Sequence, residues 1–344
     1  GQDGRGLVRP ELAVLLSSSK LVLQAAIENS SLPDGETLEP MLVGAFPKPM
    51  QAKYTTFIRE HRLAREIIAT KLANRIVNRL GLVHPFEVAE EEGATLGQMA
   101  AAFVLAEDMF DLGDLWSQLE TAEMPEEARL ALFDRAAGAM RSHMADLLRA
   151  GAGRVAPGEL KDRLKGGMKI LKADVYDLLG EHAQGQSKRI FESLRELGAP
   201  EEQARAVTRL FDLDGAVGIS DLAAETKIAA RELVEAFTSL GAGLGLDWAQ
   251  ASAALMTPTD PWERLLVAGL ARDFQQMRLD FLKALVRTKA GKDDLDGATA
   301  QWTRENSAAI SAFRTVVRRA EEAGTHTPAM LAQIAVQARN LLKR

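Results

Sequence analysis

Residues 62–81 read RLAREIIATKLANRIVNRLG, and this stretch decides the fold class. Ile67, Ile68, Leu72, Ile76, Val77 and Leu80 recur at helical spacing and spread around much of the cylinder. A helix that is apolar on so wide an arc belongs inside a bundle. Thr70, Asn74 and Asn78 form an i, i+4 stripe along it. An unsatisfied buried amide costs about 1–3 kcal/mol. The stripe is therefore either a hydrogen-bonded polar seam inside the bundle or a contact with another domain, with Arg75 and Arg79 reaching carboxylates there.

The same helical grammar runs through the rest of the chain. Ala, Leu, Glu, Arg, Lys, Gln and Met are abundant and aromatics are 5% of the 344 residues. No segment alternates apolar and polar residues over the length of a strand. Start signals recur: Pro10 with Glu11, Thr95 with Gln98 at capping-box spacing, Pro125-Glu126-Glu127, Pro200-Glu201-Glu202 and Asp260-Pro261-Trp262-Glu263. Helices are predicted near 9–28, 49–80, 85–92, 96–108, 111–122, 126–149, 157–180, 182–198, 201–211, 220–226, 229–241, 247–256, 261–289, 294–323 and 328–343. Gly291-Lys292-Asp293 and Gly324–Thr327 make the turns between the last long helices. The expected fold class is all-α, a multi-helix bundle array with no Rossmann fold. Two sub-domains are expected, 1–150 and 151–344, divided at Gly151–Gly158. Val88–Phe103 and Leu222–Phe237 match in register at Ala89, Glu91, Ala102 and Phe103 against Ala223, Glu225, Ala236 and Phe237, a weak internal repeat.

Composition narrows the chemistry. There is no cysteine, so disulfides, thiol nucleophiles and thiolate metal sites are excluded; this fits a cytoplasmic location. The formal net charge of −6 does not suit general nucleic-acid binding. No signal peptide is visible, and charges interrupt the apolar runs before bilayer length, so no membrane partner is expected. The lead-in GQDGRG, without an initiating Met, fits a cut or a processed fragment. Charge is uneven. Lys53, Arg59, Arg62, Arg65, Lys71, Arg75 and Arg79 face only Glu60 and Glu66, whereas residues 80–128 contain no Lys or Arg and many carboxylates. The two blocks pack together, face different partners, or are simply solvated faces of unequal sign.

Motifs that suggest chemistry do not withstand their context. Gly151-Ala152-Gly153-Arg154-Val155-Ala156 fits G-x-G-x-x-A by letter. That motif needs a preceding strand, and MADLLRA reads as helix, so a turn between helices is expected there. Gly241-Ala242-Gly243-Leu244-Gly245 reads as a helix C-cap. Residues 220–241 look like a DNA-binding helix-turn-helix, but Glu232 and Glu235 oppose Arg231 on the presumed reading helix. His61, His84, His143, His182 and His326 form no i, i+3 or i, i+4 pair, so no metal site is expected. Ser17-Ser18-Ser19-Lys20 lies inside a helix, where a serine–lysine nucleophile has no partner motif.

Several strings carry a family resemblance. RPELAVLLSSSK at Arg9–Lys20, AFPKP at Ala45–Pro49 and the Arg62–Gly81 run resemble the C-terminal helical region of the large bacterial NAD-specific glutamate dehydrogenases. DPWERLLVAGLARD at Asp260–Asp273 and LGLDW at Leu244–Trp248 extend the similarity. The family pattern has a tyrosine near Ser18, a glutamine at Lys71 and an aspartate near Arg75, departures that put inter-domain contacts, not membership, in question. The resemblance implies a parent enzyme that oxidises L-glutamate to 2-oxoglutarate and ammonia with NAD, assembles as a homotetramer, and carries its catalytic domain upstream. It implies no catalytic, cofactor-binding or metal-binding residue in this chain, which would be a structural or regulatory flank; the residues themselves make Thr70, Asn74, Arg75, Asn78 and Arg79 the candidate inter-domain contact. Two other readings stay open: a DNA-binding regulator using 220–241, and a free-standing helical scaffold for a protein partner.

Overall fold

The computed structural model describes residues 6–256, 258–288, 291 and 294–343. Those residues form α-helices and two short 3-10 turns, with no strand among them beyond an isolated bridge between Ala152 and Val155. The helices are α1 (Arg9–Glu28), α2 (Glu39–Val43), α3 (Lys48–Lys53), α4 (Thr55–Arg59), α5 (Ala64–Leu80), α6 (His84–Glu91), α7 (Leu96–Met109), α8 (Leu112–Thr121), α9 (Glu126–Ala150) and α10 (Pro157–Leu178). They continue as α11 (Glu181–Glu196), α12 (Glu201–Asp212), α13 (Ala216–Thr226), α14 (Ala230–Leu244), α15 (Leu246–Leu255), α16 (Pro261–Val286), α17 (Leu295–Glu305), α18 (Ser307–Glu322) and α19 (Pro328–Leu342). The all-α expectation holds. The chain divides into two units, Gly1–Arg163 and Leu164–Arg344.

In the first unit α7 is the axis. Gly97, Met99, Met109 and every residue from Ala100 to Ala106 are buried, so this helix is enclosed on all sides. Its alanines bring neighbouring backbones close, and α1, α5, α6, α8 and α9 pack around it. The Thr95 hydroxyl accepts the Gln98 N–H while the Gln98 side chain accepts the Thr95 N–H, the capping box read from the sequence. Helix α5 buries Ile68, Leu72, Ile76, Val77 and Leu80, as its periodicity requires. The single helix expected at 49–80 is three. Tyr54 and Leu63 leave helical geometry, and Arg65 turns away to donate to the Glu28 and Ser30 carbonyls and pair with Asp34. That long-range anchor sets where α5 begins.

In the second unit α16 is the axis, with α13, α14, α15, α17 and α19 against it. Asp260 caps it by accepting the Trp262 and Glu263 N–H groups. Phe274, Leu282 and Val286 are fully buried. The helix expected at 294–323 breaks at Asn306, whose amide donates to the Trp302 carbonyl and competes with the backbone ladder. Lys292 and Asp293 of the expected turn lie outside the described residues, as does the side chain of His182. Gly241 and Gly243 are not a cap: α14 runs to Leu244 and Gly245 takes the left-handed conformation that ends it. The expected 220–226 helix starts earlier, at Ala216, after a left-handed Gly215.

A half-buried polar line runs through this unit. Asp214 accepts from the Gln250 amide at 2.7 Å, and the Gln250 carbonyl accepts from Arg278 at 3.0 Å. The Arg278 guanidinium lies 4.0 Å from the Phe237 ring centre. A Cβ at Gly241 would come within 2.6 Å of Arg278 Nε, so glycine makes room for the cation. Burial brings Arg278 down to about 10, against the pull of Asp247 and Asp214, and it stays charged near neutrality.

Asp212 is a second perturbed group in this unit. Burial pushes its carboxyl up to about 6, opposed by a Ser187 hydrogen bond and by Arg209. It is also the last residue of α12, where the helix dipole disfavours a negative charge. A raised carboxyl binds its proton more tightly folded than unfolded. Its contribution is therefore fully present below its unfolded value near 4 and is lost as pH rises through about 6. Asp212→Asn is expected to match the wild type near pH 4 and to exceed it by about 1–2 kcal/mol at pH 8, after discounting for partial exposure. Urea titrations at the two pH values check this; a pH-independent difference would contradict it.

Candidate functional site: a polar groove between two helices

One face of α5 does not enter the core. Thr70, Lys71, Asn74, Arg75, Asn78 and Arg79 line one wall of a cleft of about 680 Å³, and Gly113, Ser117 and Glu120 of α8 line the other. All five residues of the sequence-read contact, Thr70, Asn74, Arg75, Asn78 and Arg79, thus share one surface. The stripe is not a seam buried in the bundle: Thr70 and Asn78 are exposed and Asn74 is half-buried. Thr70 donates to the Glu66 carbonyl and Asn74 to the Thr70 carbonyl, so each satisfies its own helix.

The cations are anchored beneath the groove. Arg75 Nε lies 2.8 Å from Glu107 Oε2, and Arg79 Nη1 lies 2.7 Å from Glu120 Oε1. The Arg79 guanidinium also lies 5.3 Å from the Trp116 ring centre and 5.9 Å from that of Phe133, two rings stacked on each other. Burial pushes the Glu107 carboxyl up, while Arg75 and then Arg79 pull it back. The Trp116 indole Nε1 is buried without a well-aligned hydrogen bond, yet it sits close enough to Glu107 to favour the ionised form. Gly113 keeps the opposite wall low where Arg75 Nη2 approaches, 3.6 Å from where a Cβ would stand. Lys71 and Asn78 carry no side-chain hydrogen bond or ion pair among the described residues. The arrangement offers cationic and amide donors on an open surface. It pairs no nucleophile with a base, and no group of His, Asp or Glu among the described residues could hold a metal.

The basic and acidic blocks meet at two pairs, Arg75 with Glu107 and Arg79 with Glu120, whereas Arg59 and Arg65 pair with Glu39 and Asp34 outside the acidic block. Other carboxylates of the acidic block take cations from outside the basic one: Glu92 receives two Arg149 bonds at 2.6 and 2.9 Å, and Lys161 reaches Asp108 at 2.6 Å. Sequence reasoning missed the α8 wall. The unbroken acidity of 80–128 was the available signal, but it does not say which carboxylate meets which arginine.

The other sequence motifs resolve into structure. Gly151 ends α9 in the left-handed region, and Gly153, also left-handed, packs on Gln98, so the G-x-G-x-x-A string is a turn between helices. Residues 216–244 do form helix, turn and helix, with Lys227 left-handed between them. The second helix buries Leu233, Val234, Ala236, Phe237, Leu240 and Leu244, and Arg231 is paired with Asp174. Little of it remains to enter a DNA groove. His143 is buried and stacked on Phe110 at 3.7 Å. Ser17 donates to the Ala13 carbonyl within α1.

Among the described residues the chain is an all-helical array with an open polar groove on α5 and α8 and no strand from which a nucleotide-binding sheet could be built. Comparison with known proteins gives the family: the model described as glutamate dehydrogenase, C-terminal, matches residues 4–343, and the chain belongs to that family. Its relatives include the NAD-specific glutamate dehydrogenase of Halomonas elongata, 26% identical over 343 residues that make up 99% of this chain and 21% of the relative. That of Pseudomonas aeruginosa is 24% identical over 323 residues, 91% of this chain and 20% of the relative. That of Mycobacterium tuberculosis is 34% identical over 134 residues, 39% of this chain and 8% of the relative. The chain thus spans about a fifth of the length of the first two relatives.

Proposed function

We propose that this chain is the non-catalytic C-terminal part of a cytoplasmic NAD-specific glutamate dehydrogenase, with a structural or regulatory role. The parent enzyme would convert L-glutamate, NAD and water to 2-oxoglutarate, ammonium, NADH and a proton. NAD and the reacting side chains would belong to the portion upstream, and the whole would assemble as a homo-oligomer, a tetramer on the family resemblance. The observation that carries this reading is the family match over residues 4–343, in a chain that makes up only about a fifth of relatives bearing that enzyme's name. The all-helical fold of the described residues supports it. Removing residues 6–343 from the full-length polypeptide is expected to abolish its native oligomer and most of its turnover. Native assembly and full turnover without them would overturn the structural role.

The α5–α8 groove is our proposed contact with another domain. Reversing Arg75 or Arg79 would also break their pairs with Glu107 and Glu120, so the cleaner change is Lys71→Glu with Asn78→Asp. Exposed substitutions of this kind shift folding stability by about 0.5 kcal/mol or less. In the full-length enzyme the pair is expected to raise the concentration at which the oligomer dissociates, measured by sedimentation. Unchanged assembly and activity would remove the groove as a contact.

A further inference from the structure

Helix α1 is half inside its unit and half outside it. Leu23 and Ile27 are fully buried against α5 and α7, but every residue from Arg9 to Ser18 is exposed. That projecting half reads RPELAVLLSS. At 3.6 residues per turn, Leu12 and Leu16 continue the line of Leu23 and Ile27, Leu15 flanks it at about 80° round the helix from Leu23, and Val14 and Leu21 stand on the opposite side. Leu12 is 41% exposed, Leu15 44% and Leu16 38%; Val14 is 65% and Leu21 64%. A helix segment apolar on both sides is normally enclosed. Short helices without packing are marginal in water, yet this one is begun deliberately: Pro10 occupies its first turn and Glu11 accepts the Val8 N–H at 2.9 Å.

Three occupants fit an apolar helix tip: a membrane, a second copy of this chain, and the polypeptide that precedes it. By length and composition α1 is apolar enough to cross a membrane, contrary to the sequence expectation. A span needs about 20 apolar residues, and the half of α1 fixed in the core by Leu23 and Ile27 leaves about half that number. The preceding polypeptide has the stronger case. It joins α1 at the projecting end, so any folded body there is held at high effective concentration beside Leu12–Leu16. The matching family is described as C-terminal, and about four fifths of the first two relatives' length lies outside the match. We propose that the projecting half of α1 docks into the portion of the enzyme immediately upstream, with Leu12, Leu15 and Leu16 on one side and Val14 on the other as its buried contacts. The inference rests on the proposed reading of this chain as the C-terminal part of the longer enzyme.

The test uses full-length protein. This chain contains no cysteine, so Leu15→Cys and the exposed control Glu123→Cys each introduce a single thiol into it. Maleimide labelling of the peptide carrying each thiol is followed by mass spectrometry in native and denatured protein. The Leu15→Cys thiol is expected to label at least about tenfold more slowly than the control when native and equally fast when denatured. Leu16→Cys is a second position should the first variant not fold. A photo-reactive phenylalanine analogue at position 15 then identifies the cover. Adducts on upstream peptides of the same polypeptide support the proposal; adducts on α1 of a second copy, or on lipid, overturn it. Equal labelling of Leu15→Cys and Glu123→Cys in native protein also overturns it. Glutamate-dependent NADH formation is measured on the same samples. Turnover with a fully reactive position 15 sinks this inference alone, whereas a protected position 15 without turnover sinks the proposed reaction.

Discussion

Phe103→Ala is expected to cost the first unit about 3–5 kcal/mol, the range for truncating a fully buried aromatic side chain. Phe103 has no exposed surface and sits in the middle of α7, the one helix of that unit buried on every side. Ala102 beside it and Ala100 and Ala106, three residues to either side, have no length to fold into the space left behind. Trp116 is the tryptophan of residues 1–163, so its fluorescence in urea reports the unfolding of this unit. A loss below about 1 kcal/mol would mean that the site collapses easily and that α7 is not the packing axis.

Gly153→Ala should cost about 2–3 kcal/mol from a single methyl group. Gly153 has φ +73, a backbone conformation that alanine resists. A Cβ there would also stand 2.6 Å from the Gln98 Cα, which is backbone and cannot swing aside. Gln98 belongs to the capping box that starts α7, so the strain falls on the entry to the central helix. The measurement is the same urea titration with the same fluorophore. An unchanged midpoint would show that the turn is free to move, which is what a flexible linker would do and a packed turn would not.

These residues also show what a sequence discloses. Helix starts were legible because their physics is local: Thr95 with Gln98, and Asp260 with Trp262 and Glu263, interact across three residues or fewer. Helix α7 was legible as a helix, but its total burial depends on neighbours brought from α1 and α9. The breaks at Tyr54 and Leu63 were not legible, since Arg65 must find the Glu28 and Ser30 carbonyls and Asp34 from a distance along the chain. One wall of the groove was visible as a polar stripe on α5. The other required knowing that Glu120 stands opposite Arg79, which charge composition hints at and only folding decides. The projecting half of α1 was equally hidden. Its pattern is that of an ordinary buried helix, and its exposure marks surface that the described residues do not cover.

On the proposed function, the chemistry lies outside this chain. Glutamate-dependent NADH formation, followed at 340 nm (roughly the reduced nicotinamide band, chemistry carried by the cofactor), tests it on two samples: this chain alone and the full-length polypeptide. Turnover is expected from the full-length protein and none from the chain. Turnover by the chain alone, or none by the full-length protein, would contradict it.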